Sequence, residues 1–160
     1  MASRWRSPAF LPFPHRPRTY RGMLLSLTQW IDFKVMGDER GQLVALEELN
    51  NIPFQVRRVY YLFGTKPEVS RGNHAHRDLE QVAVCVAGRC RMVLDDGGSR
   101  EEVWMDSPSK GVLIHRMVWH EMHDFSPDCV LLVLANAYYG EADYIRDYGE
   151  FRRLGREGAA

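Results

Sequence analysis

Apolar residues along this chain fall in short runs, and most of those runs alternate with polar residues at the period of a β-strand. Residues 23–33 alternate loosely, Gly37-Asp38-Glu39-Arg40-Gly41 reads as a turn, and 42–47 form a short strand with Arg40 at its entry. The run 54–63 is β-branched and aromatic, with Arg58, Tyr60 and Leu62 on one face and Arg57, Val59 and Tyr61 on the other. Residues 79–86 and 90–94 flank a Gly88-Arg89 hairpin turn, and Asp95-Asp96-Gly97-Gly98 turns the chain again. Strand patterns continue at 103–105, 110–114 and 119–122, and the unbroken apolar run 129–135 predicts a fully buried strand. Turns recurring at about ten-residue spacing are the mark of a sandwich or barrel rather than of βαβ units. Only the end departs from this period: Tyr144, Tyr148 and Phe151 recur at helical spacing and predict a helix over 143–154 capped by Asp143.

Composition narrows the class. A chain of 160 residues suits one domain with a sizeable core, and no apolar run approaches the roughly 18 residues of a membrane span. The 21 basic and 21 acidic residues balance, yet residues 1–22 hold five arginines, four prolines and no acid. That stretch reads as a disordered leader, the folded domain as 23–154, and 155–160 as a tail. Without the leader, 16 basic residues face 21 acidic ones, which argues against nucleic acid as a partner. Cys85, Cys90 and Cys129 are odd in number and lack CxxC spacing, which argues against a disulfide framework or a structural zinc site and fits a reducing cytoplasm.

Candidate chemistry centres on Arg71-Gly72-Asn73-His74-Ala75-His76-Arg77. In a strand His74 and His76 project to the same side, so two imidazoles that titrate near neutrality share one pocket. Such a pair suits proton transfer or metal ligation. An inward Arg58 would need an internal carboxylate or a bound phosphate as its partner. With Glu80, Gly88, His120 and Asn136 following, the pattern resembles the two-part signature of the cupin superfamily. Metal-binding cupins use two histidines, a glutamate and a later histidine, nominally His74, His76, Glu80 and His120. The alternation through Glu80 and Gln81 leaves open which of the two faces inward, and an inward Gln81 would remove the carboxylate ligand.

A more specific set occurs in order: Gly37-Asp-Glu-Arg-Gly-Gln-Leu43, Arg58-Val-Tyr-Tyr61, Arg71-Gly-Asn-His-Ala-His76, Leu79-Glu-Gln81, Val118-Trp-His-Glu-Met122 and Ala142-Asp-Tyr-Ile-Arg-Asp-Tyr148. Together these resemble the nucleotide-sugar 3,4-ketoisomerases from residue 23 to about 154. The resemblance implies an all-β cupin, a jelly-roll (double-stranded β-helix) barrel with a short C-terminal helix. It implies a homodimer, without metal or other cofactor, that moves the ketone of dTDP-4-keto-6-deoxy-glucose from C4 to C3. His74 is then the expected base with His76 beside it, Tyr60 a donor or orienting hydroxyl, and Arg40, Arg58, Arg71 and Gln81 the substrate-binding set. Arg40 together with His120 resembles the galacto-forming members, with His120 able to deliver a proton to the opposite face at C4. His115 and Arg116 replace a Pro- and Gly-containing turn often found in that family.

Three other readings share the barrel. A sugar-nucleotide 3,5-epimerase pairs a histidine with an aspartate, and no such carboxylate is evident near His74 in the sequence. The others are a metal-dependent cupin and a non-catalytic sugar-binding cupin.

Overall fold

The computed structural model describes residues 26–157, so the expected leader and the opening at Met23 lie outside the described residues. The chain forms strands β1 (Gln29–Asp32), β2 (Val35–Asp38), β3 (Gly41–Val44), β4 (Arg58–Phe63), β5 (Arg71–His76) and β6 (Gln81–Ala87). Strands β7 (Cys90–Asp95), β8 (Arg100–Met105), β9 (Lys110–Ile114), β10 (Trp119–His123), β11 (Val130–Ala135) and β12 (Tyr144–Ile145) follow, and helix α1 (Tyr148–Glu157) ends the described chain. Two five-stranded antiparallel sheets, ordered β1-β9-β6-β11-β4 and β12-β5-β10-β7-β8, make an all-β jelly roll. The β2-β3 hairpin stands as a sheet of its own.

The alternation in the sequence explains most of this. On β4, Arg58, Tyr60 and Leu62 are partly buried while Val59, Tyr61 and Phe63 are exposed, the two faces the pattern predicts. Strand β11 is paired on both edges by β4 and β6 and sends Leu131 and Val133 into one apolar cluster and Leu134 into another, but Val130 and Leu132 stay partly exposed, so the run falls short of the fully buried strand that its pattern predicts. Ala83, Met92, Leu94, Val112, Leu131 and Val133, drawn from both sheets, fill the interior between them. Among the described residues no helix is long and apolar enough to cross a membrane.

The C-terminal segment departs from the expected helix. Residues 141–143 form a short 3-10 turn, Tyr144 and Ile145 pair with His76 and Ala75 of β5, and α1 begins only at Tyr148. Strand pairing outcompetes the helical spacing of Tyr144. The helix is capped by Asp147, whose Oδ1 accepts the Glu150 backbone N–H at 2.7 Å, and Asp143 is not a cap. Phe151 is buried with Ala75, Trp119 and Ile145, so the predicted stripe does pack, shifted by one turn.

Candidate active site

Strand β5 positions the histidine pair. Gly72, with φ +80, lies where β5 meets an irregularity in its pairing with β10, and a Cβ there would stand 2.7 Å from the His120 carbonyl oxygen. Only glycine fits this close approach without strain. It lets β10 come near enough to set His120 directly opposite His74. The three rings gather as predicted: His74 lies 4.8 Å from His76 and 4.5 Å from His120, centroid to centroid.

The hydrogen bonds assign the tautomers. His74 Nδ1 donates to the Gly72 carbonyl at 2.9 Å, and His76 Nδ1 donates to Asp143 Oδ2 at 2.8 Å. Both Nε2 atoms are therefore the basic nitrogens, and they stand 3.2 Å apart. His74 and the buried His120 both line an open cleft of about 570 Å³, whereas His76, also buried, does not. Burial holds all three imidazoles below the ordinary histidine range: His74 downward, His76 to about 4 with His74 adding to the effect, and His120 well below. At neutral pH the cluster is neutral and able to accept a proton. A proton taken by His74 enters a two-imidazole bridge whose far ring is backed by Asp143.

The opposite wall comes from β4. Tyr60 donates its hydroxyl to Gln81 Oε1 at 2.6 Å, and burial pushes the phenol up to about 12, so it stays protonated. Gln81 Nε2 and Arg58 Nε are buried without a hydrogen-bond partner among the described residues. The Arg58 guanidinium lies over the rings of Tyr60 and Tyr139, at 5.1 and 5.8 Å. A partly buried cation whose buried Nε donor is unused, at a cleft wall, is ready for an anion. Arg71 also lines the cleft.

Inward and outward positions are resolved between Glu80 and Gln81. Gln81 is the buried residue, while Glu80 bonds His115 Nδ1 at 2.9 Å and its backbone N–H reaches Asn136 Oδ1. The four-ligand set of metal cupins is thus not assembled, because its carboxylate faces away. His74, His76 and His120 alone offer three nitrogens within 4.8 Å of one another. Arg40 does not line the cleft of its own chain: it sits at the tip of the β2-β3 hairpin, paired with Asp38, its side chain 86 % exposed.

Sequence reasoning missed Asp143, Tyr144 and Arg146. Asp143 binds His76 through Oδ2 and the Asp78 backbone N–H through Oδ1, so a carboxylate does back the pair, at His76 rather than at His74, beside which the sequence showed none. The ring of Tyr144 packs on His74 at 4.8 Å and His76 at 4.4 Å, and Arg146 covers Tyr144 while bonding Glu141 through two nitrogens. Asp143 is 67 positions from His76 and the other two lie further still, and only their motif, not any local spacing, marked them.

The family profile described as "FdtA: WxcM-like, C-terminal" matches residues 26–156. A TDP-4-oxo-6-deoxy-alpha-D-glucose-3,4-oxoisomerase of Aneurinibacillus thermoaerophilus is 57 % identical over 123 residues, covering 77 % of this chain and 88 % of that protein. Among solved structures, a 3,4-ketoisomerase from Helicobacter canadensis is 43 % identical with a TM-score of 0.79, covering 81 % of this chain and 97 % of the other. A Thermoanaerobacterium thermosaccharolyticum 3,4-ketoisomerase, a His-to-Asn mutant in complex with TDP-4-keto-6-deoxyglucose, is 36 % identical with a TM-score of 0.81 over 84 % and 97 % of the two chains. Matched along nearly all of its described length, the chain belongs to the FdtA family of WxcM-like, C-terminal domains.

Proposed function

We propose that this protein is a 3,4-ketoisomerase of a TDP-linked 4-keto-6-deoxy-glucose, yielding the 3-keto-6-deoxy-galactose product. The observation that carries the reading is the neutral His74-His76 pair at the cleft, with its basic nitrogens facing each other and Asp143 behind. The C3 hydrogen is acidic because it lies beside the C4 carbonyl. His74 Nε2 takes that proton, and the C–H electron pair becomes the C3–C4 double bond of an enediolate. The C4 carbonyl pair moves onto O4; passage of the O3 proton to O4 and return of a proton to C4 leave a hydroxyl at C4 and the ketone at C3. The Tyr60 hydroxyl and the Gln81 amide are donors for the two oxygens, and Arg58 with Arg71 holds the enediolate or the pyrophosphate.

His120, buried and opposite His74, supplies the second imidazole of the galacto-forming step. Arg40 reaches a cleft only if the hairpin packs on a second copy, and the exposed Val35, Met36 and Leu43 of that hairpin support a homodimer. Three free thiols fit a reducing cytoplasm, where the product would feed aminosugar synthesis for a bacterial surface glycan.

Proton NMR of dTDP-4-keto-6-deoxy-glucose with metal-stripped protein in heavy water tests the reading. A 3-keto product carrying deuterium at C4 in the galacto configuration is the expected outcome. In His74→Asn its rate falls by roughly 10²- to 10⁴-fold. An unchanged rate in that variant rejects the histidine mechanism, and activity that returns only with added metal rejects the metal-free one. The His76–Asp143 contact gives 3,5-epimerisation a specific foothold as a second reading. Deuterium at C5 with the 4-ketone retained would establish it instead.

A further inference from the structure

At the other end of the barrel interior lies a cluster that the isomerase chemistry leaves unused. Cys85 on β6, Cys90 at the start of β7 and Cys129 just before β11 are buried, and their three Sγ atoms lie within 4.8 Å of one another. Cys85 Sγ and Cys129 Sγ are 3.7 Å apart. The sequence scatters these residues without a ligand spacing, and the sheet register brings them together. Cys85 is four residues along β6 from Gln81, roughly 13 Å at the rise of a strand, so the cluster is separate from the histidine site. Two turns close over it: Gly88 packs against Ser126, Asp128 and Cys129 so tightly that a Cβ would meet Ser126 Oγ at 2.3 Å.

We propose that Cys85, Cys90 and Cys129 form a binding site for trivalent arsenic, held as a neutral tris-thiolate. The geometry supports three-coordination. A trigonal or pyramidal centre with sulfur bonds of about 2.3 Å has S···S edges of about 3.5–4 Å, and the cluster needs only a small closure to reach them. Charge selects the ion. Three thiolates around a monovalent or divalent cation leave net negative charge in an apolar interior, whereas a trivalent centre leaves none. The exchange also balances without a redox partner: arsenous acid and three thiols give the tris-thiolate and three waters, each As–O bond replaced by an As–S bond and each thiol proton leaving in a water.

The protonation of the site agrees with a neutral reagent. A hydrogen bond with Cys85, reinforced by burial, holds the Cys90 thiol protonated, and burial pushes Cys129 up to about 12. Hydrogen bonds with Cys90 and Cys129 draw the Cys85 thiol down. No imidazole lies among the three sulfurs.

The chain has only these three cysteines, so any thiol adduct belongs to the cluster. The full-length protein, kept reduced with a phosphine, would be titrated with sodium arsenite and followed by native mass spectrometry and thermal unfolding. One arsenic gained with three hydrogens lost, and a raised melting temperature, is the expected result. Cys129→Ala and the near-isosteric Cys90→Val, each checked for folding by its own melt, should bind at least an order of magnitude more weakly. No mass gain in the parent protein overturns the site. Equal binding in both variants also overturns it, since two thiols would then suffice. Displacement of the arsenic by equimolar zinc or cadmium overturns the choice of a trivalent centre.

Discussion

In the proposed mechanism Asp143 supports the histidine base without lining the cleft. Its carboxylate fixes the His76 tautomer and is the main influence raising the proton affinity of a ring that burial otherwise depresses. With both histidines depressed below 6.5, the proposed mechanism predicts a neutral, active cluster above that value and activity that falls as acid protonates it. Removing the carboxylate lowers the His76 affinity further. Asp143→Asn should therefore move the acid limb of kcat/KM to lower pH while the plateau drops by roughly 10²-fold or more, with Asp143→Glu recovering part of it. A pH–rate profile with NMR titration of His76 checks this. A plateau loss with an unmoved acid limb would mean a merely structural role. The reading from sequence alone reached His74, His76 and His120 because strand alternation and motif spacing act over a few residues. It missed Asp143 because the partner is supplied by tertiary pairing with β5.

Among the elements, β5 and its junction with β10 decide the site. Gly72 combines a positive φ with backbone contact to His120, so Gly72→Ala must displace one strand or the other. Expected is a loss of about 1–3 kcal/mol in urea unfolding, with a fall in kcat as His120 moves. Wild-type stability and rate in that variant would show that the two strands can part without cost. The strands themselves were legible: β9 falls on the residues its pattern predicts, and β4 presents the two faces its alternation predicts. The helix start was misplaced because Tyr144 satisfies two patterns. Its 3.6-residue spacing to Tyr148 competes with pairing to His76, and the pairing wins. The β2-β3 hairpin was also read short, as a turn and one strand, because Val35 and Met36 carry no alternating polar partner.

At the scale of the whole molecule, β4 is a sheet edge whose outer face shows Val59, Tyr61 and Phe63 at 55, 60 and 70 % exposure. Exposed apolar side chains on an edge strand favour pairing, and the proposed homodimer would use this face. Tyr61→Lys with Phe63→Glu should convert a dimer into a monomer in size-exclusion chromatography with light scattering. A parent protein that is already monomeric, or a double variant that stays dimeric, would exclude this face. The barrel end opposite the histidines was illegible in sequence, since nothing in the spacing of Cys85, Cys90 and Cys129 announces their meeting. The carboxylate behind the base and the tyrosine against both imidazoles arrive on the 3-10 turn and the two-residue strand β12, after every other strand has been made. During synthesis the growing polypeptide therefore carries its histidines long before it carries the groups that prepare them. A product of aborted translation that ends before Asp143 would expose reactive imidazoles in a half-built barrel yet turn over no sugar.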